Sequence, residues 1–166
     1  INGISFTGLA PAYTMTGNPF ELGGSIINNS SNVQSFQNAI VLSSTEAFVT
    51  NANGGNIVLG GVISDNGGVR GIIVQGLGRV LMNGTASNTY TGTTTISSGT
   101  LGLNFTNLPG ATNLISAASP LVMGGGRLNI LGAATPSTQT FNGLTLQAGQ
   151  SPVSYTHLTL PTILRV

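Results

Sequence analysis

The apolar runs of this chain are short, and they end at glycine, asparagine or serine. The longest aliphatic runs, such as Ile40–Leu42 and Ile72–Val74, have three residues, whereas a membrane-spanning helix needs about 20. No window repeats apolar residues at helical spacing, and the abundant Gly, Thr, Val, Ile, Asn and Ser are poor helix formers. Short strands separated by turn residues therefore predict an all-β fold without helices, either a sandwich, a barrel or a solenoid. The predicted strand regions are Phe36–Leu42, Ile57–Ile63, Val69–Val74, Arg79–Met82, Thr93–Ile96, Leu101–Leu103, Leu128–Leu131 and Leu144–Leu146.

Internal repeats favour the solenoid. Leu22–Asn29 and Leu59–Asn66, 37 residues apart, share the pattern Leu-Gly-Gly-x-Ile-x-x-Asn, and Val122–Gly125 repeats its centre. Ile1–Phe6 and Phe141–Leu146 share apolar-Asn-Gly-apolar-Ser/Thr-apolar. Strand–corner–strand repeats are typical of stacked coils, whose inward aliphatic residues pack between neighbours. We predict a parallel β-helix over residues 1–152, with about 20–25 residues per coil and about six or seven coils.

Charge is nearly absent, which excludes several classes of function. Only 4% of residues are charged and the net charge is +1, so there is no cluster of cations for nucleic acid. The chain has no cysteine and one histidine, which argues against a metal site or cofactor and removes any disulfide. Parallel stacking explains this composition, because like charges in register repel each other.

Acid–base catalysis is the main enzymatic alternative. Glu21 and Asp65 lie near the two Leu-Gly-Gly blocks, but they are not equivalent repeat positions, so we predict that both are solvated. Polysaccharide-cleaving β-helices combine a basic catalytic residue with clustered carboxylates, and no acidic cluster accompanies Arg70, Arg79 or Arg127 in the sequence. No catalytic residue is predicted.

The segment 76–103 contains Gly76-x-Gly78 and Gly84, followed by the spacing Asn88-x-Tyr90-x-Gly92-x-Thr94-x-Ile96-x-x-Gly99-x-Leu101. This spacing resembles the autotransporter-associated β-strand repeat, also called the passenger-associated transport repeat. The family pattern is G-x-G-x-L-x-L-x-G followed by N-x-Y-x-G-x-T-x-[IV]-x-x-G-x-L. Arg79 departs from this pattern where a small polar residue is usual, and the spacer Thr85–Ser87 is longer, which predicts a bulged corner. The matching residues with predicted structural roles are Gly76, Gly78, Gly84, Asn88, Tyr90, Gly92, Thr94, Ile96, Gly99 and Leu101.

In physical terms we interpret the motif as two strands joined by a turn. Gly92 and Gly99 would free the backbone at corners, and Tyr90 would cover the coil edge. Neighbouring strands should be parallel. The side chains predicted to point inward are Val80, Met82, Ile96, Leu101 and Leu103.

The resemblance implies a function. Such repeats build the β-helical stalk of the passenger region in large exported proteins of Gram-negative bacteria, and their folding outside the cell helps to draw the passenger out. We therefore expect a non-catalytic, secreted or cell-surface segment, whose partner is the rest of a larger exported polypeptide that ends either in an outer-membrane barrel or in another anchor. Two alternatives stay open: an adhesin or glycan-binding surface formed by outward Thr, Asn and Ser, and a β-helical glycan-active enzyme with its site outside this segment.

The C-terminal segment differs in character from the rest. Residues 153–162 resemble the translation, in one reading frame, of a transposase adaptor used to prepare sequencing libraries. We predict that 153–166 is a non-native tail, that His157 has no biological role, and that 1–152 is an internal segment of a longer protein.

Overall fold

The chain winds into a parallel β-solenoid with three sides, which confirms the predicted fold class. The computed structural model describes residues 1–50, 54–156 and 163–165. Every strand pairing among these residues is parallel, and two sheets of seven strands correspond to about six turns. The described residues contain no α-helix, only a 3-10 turn at Pro109–Ala111.

Each turn passes through a first sheet, a second sheet and a third face, with strands numbered in chain order. The first sheet contains β1 (Ile4–Phe6), β4 (Ile26–Asn28), β7 (Glu46–Thr50), β10 (Ile72–Gly76), β12 (Thr94–Ile96), β14 (Leu121–Met123) and β17 (Leu144–Leu146). The second sheet contains β2 (Tyr13–Met15), β5 (Gln34–Phe36), β8 (Ile57–Leu59), β11 (Arg79–Met82), β13 (Thr100–Asn104), β15 (Arg127–Leu131) and β18 (Val153–Thr156). The third face contains β3 (Phe20–Leu22), β6 (Ile40–Leu42), β9 (Ile63–Ser64), β16 (Thr138–Thr140) and β19 (Ile163–Arg165).

Coil length varies more than the sequence predicts. The register partners Phe20 and Ile40 are separated by 20 residues in the sequence, whereas the partners Thr100 and Arg127 are separated by 27. Insertions are absorbed at the corners, because the strands themselves must keep their register for inward residues to stay inside.

Three predicted strand regions need correction. Phe36–Leu42 and Ile57–Ile63 each contain a corner, so each divides between the second sheet and the third face. Val69–Val74 begins too early, since Val69 is 84% exposed and the strand starts at Ile72. Apolar residues on both sides of a tight corner read as one continuous run in the sequence.

Inward side chains form columns along the axis of the solenoid. In the second sheet, one column runs through all seven strands and another lies beside it, two residues earlier on each strand. The first column is Met15, Phe36, Leu59, Met82, Leu103, Ile130 and Tyr155. Val80, Met82, Ile96, Leu101 and Leu103 are all buried, as predicted. The buried apolar members of these columns belong to one continuous hydrophobic core.

The Leu-Gly-Gly repeat marks corners rather than coils. The block at Leu22 connects the third face to the first sheet, and the block at Leu59 connects the second sheet to the third face. The Met123-Gly124-Gly125 copy connects the first sheet to the second. The same local turn therefore serves all three corners. At Gly61, an added Cβ would lie 1.9 Å from the carbonyl oxygen of Asn38, so the backbones of adjacent coils approach closely there.

Candidate functional site

The repeat motif 76–103 makes one full coil, which corrects its interpretation as two strands joined by a turn. It leaves the first sheet, forms β11, crosses the third face, returns through β12 and ends in β13. The two ends of the motif stack on each other, because a Cβ on Gly99 would lie 2.8 Å from the Gly78 oxygen and 2.9 Å from the Gly76 oxygen. Gly99 also has a φ of 67°, which favours glycine.

The spacer Thr85–Ser87 lies at the corner between the second sheet and the third face. The coil that carries it is short, with 21 residues from Arg79 to Thr100. The spacer therefore does not make this coil longer than the other coils of the second sheet, in which register partners lie 21 to 27 residues apart. Gly84, beside it, would place a Cβ 2.9 Å from the Gly60 oxygen of the preceding coil.

Tyr90 is completely buried, so the prediction that it covers the coil edge is wrong. Its hydroxyl lies 2.8 Å from Thr94 Oγ1, which lies 2.9 Å from Ser119 Oγ in the next coil. The Ser119 hydroxyl donates to the Gly92 carbonyl at 2.7 Å. Burial raises the pKa of the Tyr90 phenol despite the hydrogen bond to Thr94. Three motif positions thus belong to one buried hydrogen-bond network that joins two coils.

Gly92 is required by close packing of backbone against backbone. A Cβ at this position would lie 2.3 Å from the carbonyl carbon of Arg70 and 2.5 Å from the nitrogen of Gly71. The Gly92 nitrogen donates to the Arg70 oxygen at 3.0 Å. Any side chain would force these two coils apart.

Asn88 connects three coils through its side chain. Its Oδ1 accepts from the Ile63 nitrogen at 2.8 Å, and its Nδ2 donates to the Leu114 oxygen at 2.9 Å. The residue is 4% exposed. The side-chain amide adds to the backbone hydrogen bonds from Asn88 N to Leu114 O and from Thr89 N to Ile63 O, both at 2.9 Å, because it offers a donor and an acceptor as a peptide group does.

Other buried amides repeat this arrangement, although the sequence analysis did not identify them. Gln139 accepts from the Ile115 nitrogen at 3.1 Å and donates to the Ile115 oxygen at 2.9 Å. Gln34 accepts from the Tyr13 nitrogen at 3.0 Å and donates to the Pro11 oxygen at 2.9 Å. A signal was present in the sequence, because each is a polar residue at an inward position of an alternating strand.

Asp65 is buried, at 4% exposure, so the prediction of a solvated side chain is wrong for it. Its Oδ2 accepts from the Thr91 nitrogen at 2.8 Å and from Thr91 Oγ1 at 2.7 Å. Burial raises the pKa of this carboxyl, but hydrogen bonds from Thr91, Arg70 and Gly67 together hold it below its ordinary value. Arg70 Nη1 donates to the Leu42 oxygen at 3.1 Å and to the Asp65 backbone oxygen at 2.7 Å. Both charged groups therefore connect one coil to the next.

The structure does not bring Glu21 and Asp65 together. Glu21 is exposed, as predicted, on β3, two coils before Ser64 in the same register position. Neighbouring strands are about 4.8 Å apart, so the backbones at these two positions are separated by about 10 Å. His157 lies outside the described residues.

Arg79 and Arg127 project from the outer side of the second sheet. Arg79 lies flat across Gly102 of the next coil, where a Cβ would come within 2.5 Å of Nε. That nitrogen is buried without a hydrogen-bond partner, and burial lowers the pKa of the guanidinium. The departure from the family pattern at Arg79 is thus matched by a glycine in the next coil. An open cleft of about 290 Å³ lies nearby, between Leu77, Arg127 and Pro152.

A row of exposed aromatic side chains would favour glycan binding. The exposed aromatic residues in the part of the chain with described side chains are Tyr13 and Tyr155, which lie on the first and last strands of the second sheet. They do not form a row. The described residues also contain no group of three or more His, Cys, Asp or Glu side chains that could hold a metal ion.

Within the described ranges, no helix is long and apolar enough to cross a membrane. No family model matches the chain, and no curated protein or solved structure with significant similarity was found. The roles of the motif residues are therefore assigned from the contacts that they make in this structure.

Proposed function

We propose that this chain is a non-catalytic stalk segment of an exported or cell-surface repeat protein, and that its folding outside the cell assists secretion. One observation carries the proposal: the residues of the repeat pattern contact the adjacent coils rather than a shared cleft. Gly92, Gly99, Asn88 and Tyr90 all serve the stacking of one coil on another. A segment whose motif serves stacking is suited to extending a rod.

Stacking allows the solenoid to fold one coil at a time. Each coil contacts only its neighbours, so the structure grows by adding one coil to the last. A large aliphatic side chain contributes about 1.5–3 kcal/mol when it is fully buried, and each added coil buries several of them. A chain that emerges unfolded from an export pore would gain this free energy coil by coil as it folds outside. The folded coils would oppose sliding of the chain back through the pore.

A secretion assay tests this proposal. The chain is fused between a signal peptide and an outer-membrane barrel in a Gram-negative host, and surface exposure of an N-terminal epitope is measured by protease accessibility. Ile96→Arg places a charge inside the solenoid, whereas Thr95→Arg places the same charge on its outer side. We expect Thr95→Arg to reach the surface like the wild type, and Ile96→Arg to accumulate in the periplasm.

Equal surface exposure of all three proteins would overturn the role of folding in secretion. A glycan array probed with the purified chain separates the adhesin alternative. Specific glycan binding that is lost in Thr95→Arg and kept in a fold-neutral variant on another face would contradict a purely structural role.

A further inference from the structure

Two of the four arginines of this chain lie in one column on the outer side of the second sheet. Arg79, Thr100 and Arg127 are register partners on the neighbouring strands β11, β13 and β15. The two arginines are far apart in the sequence, but their backbones are separated by two strand spacings, or about 10 Å. Parallel stacking therefore brings two guanidinium groups to one face of a molecule that is otherwise almost uncharged.

No acidic residue of the sequence belongs to this sheet. Glu21 lies on β3 of the third face, Glu46 lies on β7 of the first sheet, and Asp65 directly follows β9. Among the described residues, neither guanidinium has a hydrogen-bond or ion-pair partner. Two like charges in one column raise the electrostatic free energy of the surface. A bound anion would lower it again.

Gly102 gives the Arg79 guanidinium a defined position. A Cβ built on Gly102 would lie 2.5 Å from Nε and 2.7 Å from Nη2, so the head group occupies the space above this glycine. The register partner of Gly102 in the next coil is Asn129, and Arg127 precedes Asn129 by two residues on the same outward side. Diagonal neighbours of this kind are about 7–8 Å apart, which is within reach of an arginine side chain. The Arg79 head group, Arg127 and Asn129 therefore surround one place on the surface.

The open cleft beside the arginine pair supplies the other contacts that a sugar would need. Leu77, Thr100 and Arg127 line this cleft, and Leu77 is 73% exposed. An aliphatic side chain can pack against the C–H face of a sugar ring, while the Thr100 hydroxyl and the Asn129 amide can bond its hydroxyl groups. Because the exposed aromatic residues with described side chains do not form a row, charge would replace ring stacking as the main source of recognition.

From these observations we propose that Arg79, Arg127 and Asn129 form a binding site for the carboxylate of an acidic sugar, such as a uronic acid unit of a polysaccharide. A guanidinium group matches the planar carboxylate with two parallel hydrogen bonds. Two cations are too few for a nucleic acid, which requires several phosphate contacts. The inference goes beyond the proposed role in secretion and does not depend on it, because a stalk can present this site on its side however it is exported.

Calorimetric titration of the full chain at low ionic strength tests the proposal. The probe is a tetramer of galacturonic acid, the same tetramer with methyl-esterified carboxylates is the uncharged control, and inorganic sulfate is the simple-anion control. Arg79→Gln and Arg127→Gln each remove one guanidinium group of the site. The matched control Arg165→Gln removes the same charge from β19 on the third face. Circular dichroism and thermal melting establish that each variant keeps the wild-type fold.

We expect the wild type and Arg165→Gln to bind the acidic tetramer equally, and to bind the ester and sulfate much more weakly. Arg79→Gln and Arg127→Gln should each bind the acidic tetramer about tenfold more weakly, as the loss of a hydrogen-bonded charged partner predicts. Gly102→Ala keeps both charges but places a methyl group where the Arg79 head group lies. It should also weaken binding, although the net charge of the chain is unchanged.

Several results would overturn the proposal. A wild type that does not bind the acidic tetramer would show that the arginine pair is not a binding site, and equal losses in all three glutamine variants would show a non-specific charge effect. Equal binding of sulfate would show a site for any oxyanion, and equal binding of the ester would show that the carboxylate is not recognised. If a glutamine variant loses the wild-type fold, lysine at the same position replaces it. Lysine keeps the charge but lacks the planar fork, so weaker binding is again expected.

Discussion

The middle and the last coil of this solenoid place the same kinds of residue at the same inward positions, with very different results. Leu121 is 1% exposed, while its partner Leu144 in the next coil is 41% exposed. Met123 is fully buried, while its partner Leu146 is 64% exposed. Burial here is supplied by the coil above, and not by the hydrophobicity of the residue. Stability should therefore be concentrated in coils that have neighbours on both sides.

The largest expected effect comes from truncating the same residue type in the two regions. Leu101→Ala removes a fully buried side chain from a central strand, and should cost about 2–5 kcal/mol of unfolding free energy. Leu146→Ala acts on an exposed side chain and should change it by less than about 0.5 kcal/mol. Urea denaturation of both variants at low protein concentration makes the comparison. Equal losses would contradict the dependence of burial on the neighbouring coil.

A second contrast concerns asparagines. Asn88→Ala leaves the Ile63 nitrogen and the Leu114 oxygen without their side-chain partner inside the protein, and should cost about 1–3 kcal/mol. Asn107→Ala is the control, because Asn107 is exposed and its side chain donates to Asn83. The denaturation midpoints of the two variants provide the measurement. An Asn88→Ala variant as stable as the wild type would show that backbone hydrogen bonds alone hold the coils together at the third face.

A smaller effect is expected from acid, through Asp65. Because its pKa is held below the ordinary value in the folded state, the ionised carboxylate stabilises the fold above the pKa of an unfolded aspartate, about 3.9. That contribution is lost as the pH falls through the folded-state pKa. We expect Asp65→Asn to be less stable than the wild type at neutral pH, and the difference to shrink in acid. A stability difference that grew as the pH fell would reverse the assigned direction of the pKa shift.

The smallest effect is expected at the C-terminal tail. If residues 153–166 are a non-native tail, deletion after Gln150 should change the unfolding free energy by no more than about 0.5 kcal/mol. If β18 is instead the native cover of the buried residues Leu128 and Ile130, the loss should be larger. The strand β18 does extend the second sheet alongside β15, which an open edge permits for any suitable segment. Matched melting curves of the full and shortened chains provide the measurement. A loss of several kcal/mol would return residues 153–166 to the native protein.

The fold class could be predicted from the sequence because alternation and glycine spacing are local. The inward residues of β11, β12 and β13 follow directly from that alternation. Asp65 could not be assigned from the sequence, since its burial depends on Thr91, 26 residues later in the next coil. Tyr90 was misplaced for the same reason: its partner Ser119 reaches it only through Thr94 and the stacking of two coils. Contacts between coils depend on register, which the sequence shows only indirectly.

The use of one Leu-Gly-Gly turn at three different corners has a consequence for changing the length of this protein. A splice between the blocks at Leu22 and Leu59 joins sequences that look alike, yet it would remove the strands β4 to β8, which make one turn and two further sides of the next. Every later strand would then fall on the wrong face of the solenoid. A splice between Ile26 and Phe48, whose sequences differ, removes a complete turn because the two residues are register partners. Modular editing of the rod should therefore follow the hydrogen-bond ladder, and sequence identity between repeats is a misleading guide to where the modules begin.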